Sequence, residues 1–397
     1  MQSILPERNY LIRLLSSVME DAQPPVPPEE MDPEKLYRLS ARHSVSNMAW
    51  YGLKKLEHGH QLSQEVMEKF RNDYNKAAGK EAMQHIMLEK VLAAFEENHI
   101  ACMPLKGCLL KYLYPHPNMR LMADIDILFQ TEQTEQVKSL MTDLGFTVDH
   151  VDGNHDCYGL LPYMKIEMHH RLVPEDSPYS DYLDKTWNRT RLKENCQYTY
   201  ELSHEDFFIY LLIHLTKHYM GGGTGIRSFM DLWVYHRHYQ SEMDWNYTEA
   251  ELTKIKLRDF VENILGLCEV WFGNARSNAL CEEIAEYVLD SGVYGTKKHA
   301  VVSSMGIKSD KKHSVRMAKW RYSLKLFFPP LDIMKIQYPF LEAVLFLLPA
   351  CWVLRGIRCI VFKRQHTLQM INHVHCVSEE DIRKIGSLHE RTGLLKQ

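Results

Sequence analysis

The 397-residue sequence has no long apolar run. Its longest uncharged apolar stretch, from Ala343 to Leu354, falls short of the roughly 20 residues a membrane helix needs, so no transmembrane segment is expected. No secretory leader is expected either, because Glu7 and Arg8 bring charge too early for one. Basic charge is not in excess: 47 Lys and Arg stand against 51 Asp and Glu, a net charge of −4. No global positive field therefore advertises nucleic acid, and such a partner would need a local patch. The nine cysteines form no Cys-x-x-Cys pair and are odd in number. That excludes a zinc knuckle or disulfide scaffold and predicts reduced thiols in a cytoplasmic location. Glycine (19) and proline (16) are too few for a collagen-like or disordered chain. The 45% hydrophobic fraction is enough for a core that needs no staple.

The patterning divides the chain in three. Residues 1–99 read as helical: an amphipathic stretch over 7–20, a stiff linker in Ala22-Gln-Pro-Pro-Val-Pro-Pro, and a long helix opened by Ser63. Residues 100–200 read as a small α/β unit. An apolar run from Ile100 ends at Lys106-Gly107, and a short helix follows over Cys108–Tyr114. Ala123–Phe129 alternates as a strand, Glu132–Leu144 is a helix closed by Gly145, and Phe146–Val151 and Tyr163–His170 read as further strands. Residues 201–397 are helical again from a capped start at Ser203. The predicted fold class is α+β: a small mixed β-sheet core flanked by N- and C-terminal helical regions.

The chemistry concentrates between residues 104 and 170. Asp124 and Asp126 lie two apart in a strand, so both carboxylates share one face while Ile125 and Ile127 share the other. Two such carboxylates repel each other unless a cation lies between them, and Mg²⁺ suits an all-oxygen pair and brings phosphate oxygens with it. Removing either one is expected to stabilise the metal-free protein slightly. Lys165, Glu167 and His169 share a face of a later strand. If that strand lies beside the aspartate strand, Glu167 becomes a third metal ligand. Upstream, Gly107 at a strand-to-helix turn would let backbone N–H groups reach a phosphate. Lys106 offers a point charge for that phosphate and Arg120 a bidentate fork.

Farther along, His214 and His218 sit one helical turn apart and read as partly buried or surface histidines. Arg227 and Asp231 read as an i,i+4 salt bridge. The 221–225 glycine run is either a lid or a connector. His155 and Cys157 read as part of a hairpin loop. Arg355, Arg358, Lys363 and Arg364 follow the apolar 343–354 stretch, and 343–364 is therefore a candidate for peripheral contact with an anionic membrane or RNA.

The order of glycine turn, helix, Asp-x-Asp strand and carboxylate strand resembles the polymerase-β-type nucleotidyltransferase superfamily. Leu105-Lys-Gly, Tyr114-Pro, Arg120, Asp124-Ile-Asp-Ile-Leu and Ile166-Glu-Met-His are most similar to an uncharacterised bacterial nucleotidyltransferase family within it. They are also similar to abortive-infection toxin nucleotidyltransferases, which carry a Lys-Gly-Gly turn. The resemblance implies Asp124, Asp126 and Glu167 as catalytic metal ligands, with Glu167 orienting a metal or accepting the acceptor's proton. It implies Lys106, Gly107, Cys108 and Arg120 at the nucleotide. Cys108 departs from the Gly-Ser or Gly-Gly usual at this turn and is a weak donor.

The expected function is Mg²⁺-dependent transfer of a nucleoside monophosphate from an NTP, ATP by abundance, to an acceptor hydroxyl on a small molecule, an RNA end or a protein. The alternative is a catalytically inactive nucleotide-sensing or partner-binding protein on the same scaffold, and a third reading is a peripheral membrane adaptor built around 325–365.

Overall fold

The computed structural model describes residues 6–57, 59–151, 153–161, 164–304, 315–361 and 376–394. The N-terminal helices are α1 (Pro6–Met19), α2 (Pro33–Arg42), α3 (Ser46–Leu53) and α4 (Gln64–Glu97). Asp32 caps α2 by accepting the Glu34 and Lys35 N–H groups, with Pro33 in the first turn. Helix α4 runs 34 residues and serves two cores. Val66 and Phe70 pack with α1 and α3, whereas Leu88, Val91 and Phe95 pack under the sheet.

That sheet has five strands: β1 (Cys102–Pro104), β2 (Ile125–Phe129), β3 (Thr147–Val151), β4 (His155–Leu160) and β5 (Met164–His169). Their spatial order is β1-β2-β5-β4-β3, and the β2–β5 pair is parallel while the others are antiparallel. Tyr163, placed in a strand from the sequence, lies outside the described residues. The sequence reading assigns 153–158 to a hairpin loop; the structure forms the strand β4 there. Polar and aromatic residues in His155-Asp-Cys-Tyr-Gly-Leu hide the alternation, yet Tyr158 is buried on the apolar face and Cys157 on the other.

Ile125, Ile127, Phe129, Ile166, Met168 and Tyr158 bury that apolar face against α4 and against α6 (Thr134–Asp143), with α5 (Gly107–Leu110) a single turn between β1 and β2. The opposite face holds Met103 and Leu128, which join the second core with the C-terminal helices. After α7 (Ser180–Leu183) and the β6–β7 hairpin (Thr190–Leu192 and Tyr200–Leu202) come α8 (His204–Gly221), α9 (Ile226–Tyr239), α10 (Trp245–Lys254), α11 (Arg258–Phe272), α12 (Ala279–Ser291) and α13 (Lys297–Ser304). The result is α+β with a mixed sheet and helical flanks, as the patterning predicts. Ser203 caps α8 by accepting the Asp206 N–H.

The glycine run after α8 is a packed connector. Gly223 has φ +96°, and a Cβ there would meet Ser291 Oγ. A Cβ on Gly225 would sit 2.9 Å from His43 Nδ1. Further helices are α14 (Val315–Phe327), α15 (Leu331–Gln337) and α16 (Leu348–Val361); Val353, Leu354 and Ile357 of α16 are exposed, as are Phe328 and Phe346 in the connecting segments. Lys363 and Arg364 lie outside the described residues. Among the described residues no helix is long and apolar enough to cross a membrane.

Candidate functional site

The register of β2 and β5 builds the site. Asp126 lies opposite Glu167 and Leu128 opposite His169 across the parallel pair, so the two carboxylates face the same side from adjacent strands. Asp124 stands just before β2 on that same side. Asp126 is only 6% exposed. Lys106 Nζ lies 2.7 Å from Asp126 Oδ1, and His169 Nε2 lies 2.8 Å from the same oxygen. Burial alone would raise the Asp126 carboxyl, but Lys106 and His169 outweigh it and hold the group far below the usual range.

Glu167 is also pushed up by burial. Lys165, 2.8 Å from Oε1, outweighs that, and Glu167 stays below the usual value. At Asp124 the compensation by Lys106 and Lys165 is outweighed. Burial, then the Asp126 and Glu167 charges, raise it from 3.8 to about 6. A carboxyl raised by its neighbours marks a place where negative charge accumulates, and a divalent cation is the chemistry that would relieve it. The oxygen-rich donor set fits Mg²⁺ in that sense. Among the described residues, Asp126, Glu167 and His169 bring their ligand atoms within 4.8 Å of one another; His169 joins this trio where the sequence reading has Asp124.

The turn after β1 departs from its sequence reading. The space beside the Gly107 Cα is taken by the protein's own side chains. A Cβ there would collide with Arg120 Nη1 and lie 2.5 Å from Met122 Sδ, so the glycine admits side chains of its own chain. Arg120 spends its fork on Asp231: Nε donates to Oδ1 and Nη2 to Oδ2, both at 2.8 Å, and Tyr114 donates to the same carboxylate. Asp231 therefore pairs with Arg120 across the fold, not with Arg227 on its own helix. Arg227 instead donates to the Leu121 carbonyl at 2.7 Å.

Cys108 is buried with Sγ 3.7 Å from the Asp126 carbonyl, and burial, with the Asp126 charge added, pushes its thiol up to about 12. It is a core residue and offers no phosphate donor. The four-residue α5 contributes a turn, not a helix end with a useful dipole. Lys106 alone of this group faces the carboxylates. Its backbone has φ +47°, an uncommon conformation for a residue with a Cβ that costs on the order of 1–3 kcal/mol. Gly107→Ala should therefore destabilise the protein by about 1–3 kcal/mol through overpacking against the immobilised Arg120. Thermal melts of the metal-free protein check this; an unchanged Tm would mean that Arg120 can move aside.

Around the site stand residues that the sequence reading places elsewhere or leaves aside. His155 and Cys157 on β4 oppose His169 and Glu167 on β5; the signal was their i,i+2 spacing, read as a loop. Tyr210 and His214 on α8 come close to Lys106. Burial first, then Lys106, hold His214 well below its usual value, and its Nε2 meets that of His218 at 3.2 Å. Lys80 on α4 reaches the Ala123 carbonyl at 3.3 Å, next to Asp124. Nothing in the periodicity of α4 distinguishes Lys80 from a solvated lysine.

Comparison with known proteins bears on these residues as a set. No curated protein matches the chain, and no solved structure does. A family model described as an uncharacterised nucleotidyltransferase matches residues 29–273. The matched span is more than half of the chain, and it takes in the whole sheet, α4, α8 and the Arg120–Asp231 pair. The chain therefore belongs to this family of uncharacterised nucleotidyltransferases.

Proposed function

We propose that the chain is a Mg²⁺-dependent nucleotidyltransferase of the polymerase-β type, moving a nucleoside monophosphate from an NTP, ATP first among candidates, to an acceptor hydroxyl. The observation that carries this is the Asp126–Glu167 pairing across parallel strands with Asp124 beside it. Asp124, Asp126 and Glu167 would hold the metal, which when bound supplies charge neutralisation for the triphosphate and the departing pyrophosphate. Glu167 is fully ionised at neutral pH, which suits a ligand better than a general base, whose best pKa lies near the working pH. Asp126, deep in the sheet, is positioned by the backbone itself and needs no reorganisation.

Lys106 takes two partners in turn. Its ammonium neutralises Asp126 in the free protein and moves to phosphate oxygens when the nucleotide arrives. Lys106→Ala should then have two effects of opposite sign. NTP KM rises several-fold with a smaller change in kcat, because a ground-state clamp is lost. Affinity for Mg²⁺ alone increases, because the competing cation is gone. Metal titration beside steady-state kinetics reads both, and unchanged KM and metal affinity would return Lys106 to a purely structural role. The direct test of the reading is a screen of labelled NTPs against RNA, protein and metabolite pools with Asp126→Asn as the control. Label in any acceptor that depends on Mg²⁺ and on Asp126 supports it.

One observation favours the inactive alternative. Gly107, Cys108 and Arg120, the expected phosphate contacts, are all engaged within the fold. On that reading NTP with Mg²⁺ raises the Tm while no acceptor is labelled. The exposed apolar residues of α16, flanked by Arg355 and Arg358, remain our proposal for a peripheral contact with anionic lipid.

A further inference from the structure

The polar face of the sheet does not end at the oxygen site. In the register of β4 and β5, Cys157 lies opposite Glu167 and His155 opposite His169. These pairs continue the two rows begun by Asp126 and Leu128 on β2. The outcome is a second group of ligand atoms beside the first. His155 Nε2 is 3.7 Å from Glu167 Oε2 and Cys157 Sγ is 4.0 Å from Glu167 Oε1, and all three ligand atoms lie within 4.8 Å of one another.

We propose that His155, Cys157 and Glu167 form a binding site for a zinc-class divalent ion, contiguous with the oxygen site and sharing Glu167 with it. The donor chemistry separates the two. A thiolate and an imidazole suit Zn²⁺ or Co²⁺ and not Mg²⁺, which prefers carboxylates and water. The spacing agrees as well. Metal–ligand bonds of about 2.0–2.3 Å in a tetrahedron put donor atoms roughly 3.3–3.6 Å apart, and the His155–Glu167 and Cys157–Glu167 separations exceed that by under half an ångström. A small inward movement closes the set. Three protein ligands leave one position for solvent or a substrate oxygen, the pattern of open zinc sites.

The placement of the ligands favours a preformed site. All three sit on neighbouring β-strands, not on loops, and Cys157 is buried, so the thiol is held in register with the carboxylate before any ion arrives. The ion must compete with protons on Cys157 and His155, so its binding releases protons and strengthens as pH rises. It also withdraws Glu167 from Lys165 and from the oxygen site. Occupancy by zinc therefore works against Mg²⁺, and the Mg²⁺ requirement of any nucleotidyl transfer rises when zinc is present. The site itself does not depend on the transfer activity.

Co²⁺ added alone to the full-length metal-free protein tests it. The expected result is a thiolate-to-cobalt charge-transfer band with the intense visible bands of four-coordinate cobalt, displaced by Zn²⁺. Cys157→Ser, nearly isosteric, should abolish the charge-transfer band, and His155→Gln should weaken Co²⁺ binding at least ~10-fold. Asp126→Asn should leave the spectrum in place while removing the Mg²⁺-dependent chemistry, which distinguishes failure of this site from failure of the nucleotidyltransferase reading. Far-UV circular dichroism confirms that each variant is folded. A wild-type spectrum with no thiolate band, or a band that survives in folded Cys157→Ser, overturns the proposal.

Discussion

Asp126→Asn is expected to remove Mg²⁺-dependent nucleotide transfer altogether, a loss of at least ~10³ in kcat, the scale of losing a preorganised charge at the reacting phosphate. The substitution also tests the protein's charge balance. Both Lys106 and His169 converge on Asp126 Oδ1. Neutralising Asp126 leaves Lys106 in a buried site without its main counterion, and breaking such a pair costs about 3–5 kcal/mol when one partner is removed outright. Asparagine still accepts a hydrogen bond, so the lower end applies. Asp124→Asn separates activity from folding. Its carboxyl is held at about 6 against an ordinary 3.8, so the folded protein binds that proton more tightly than the unfolded chain. The sign follows: Asp124 destabilises the metal-free protein above pH 6, by up to about 3 kcal/mol, and that penalty fades as pH falls toward 4.

Asp124→Asn should raise the metal-free Tm at pH 7.5, flatten its rise toward pH 5, and still abolish transfer. From the sequence, repulsion makes removal of either aspartate stabilising; the structure restricts that to Asp124, because Asp126 has already found its cations. Transfer at the wild-type rate by either variant would end the assignment of the metal site to this strand.

The parts of this architecture that follow from local rules were legible in the sequence. The periodicity of Ala123–Phe129 and of Tyr163–His170 fixes which side chains share a face, and the cap at Ser203 and the glycine at 145 punctuate the helices. The pairing of β2 with β5 is not fixed by the sequence pattern, because strand order is a long-range property that no single strand carries. The same limit explains Arg120. Alone, an arginine thirteen residues after the glycine of a Lys-Gly turn looks like a phosphate fork, yet its partner Asp231 lies 111 positions away. Gly107 likewise reads as backbone freedom for a ligand, and nothing local in the sequence shows that the glycine also makes room for Arg120 and Met122. β4 escapes for a different reason: His155, Asp156 and Cys157 show no apolar alternation, and it is the partners on both sides, β3 and β5, that stabilise the extended chain there.

Glu167→Gln is expected to lower kcat by roughly 10²–10⁴ while changing NTP affinity much less. The shape of the side chain is kept and one negative charge is lost. Folding should barely notice. The partner at 2.8 Å, Lys165, is 44% exposed in its side chain and can turn to water, and exposed pairs of this kind contribute about 0–1 kcal/mol. Asp124 and Asp126 still offer two carboxylates, so nucleotide with its metal still binds.

The pH profile distinguishes two roles for the residue. Burial raises the Glu167 carboxyl, but Lys165 outweighs it and the group remains below the usual glutamate value. It is therefore already ionised at every pH between 6 and 8, and as a ligand it should impose no titration on kcat in that window. A general base would need a pKa near the working pH and would show an ascending limb there, which Glu167→Gln would erase. A flat profile in the wild type together with a large drop in the variant identifies a charge that positions a cation. A variant that transfers nucleotide at the wild-type rate has a different consequence. The β2–β5 register leaves no other carboxylate opposite Asp126, so the third ligand would have to be His169, the remaining member of the trio.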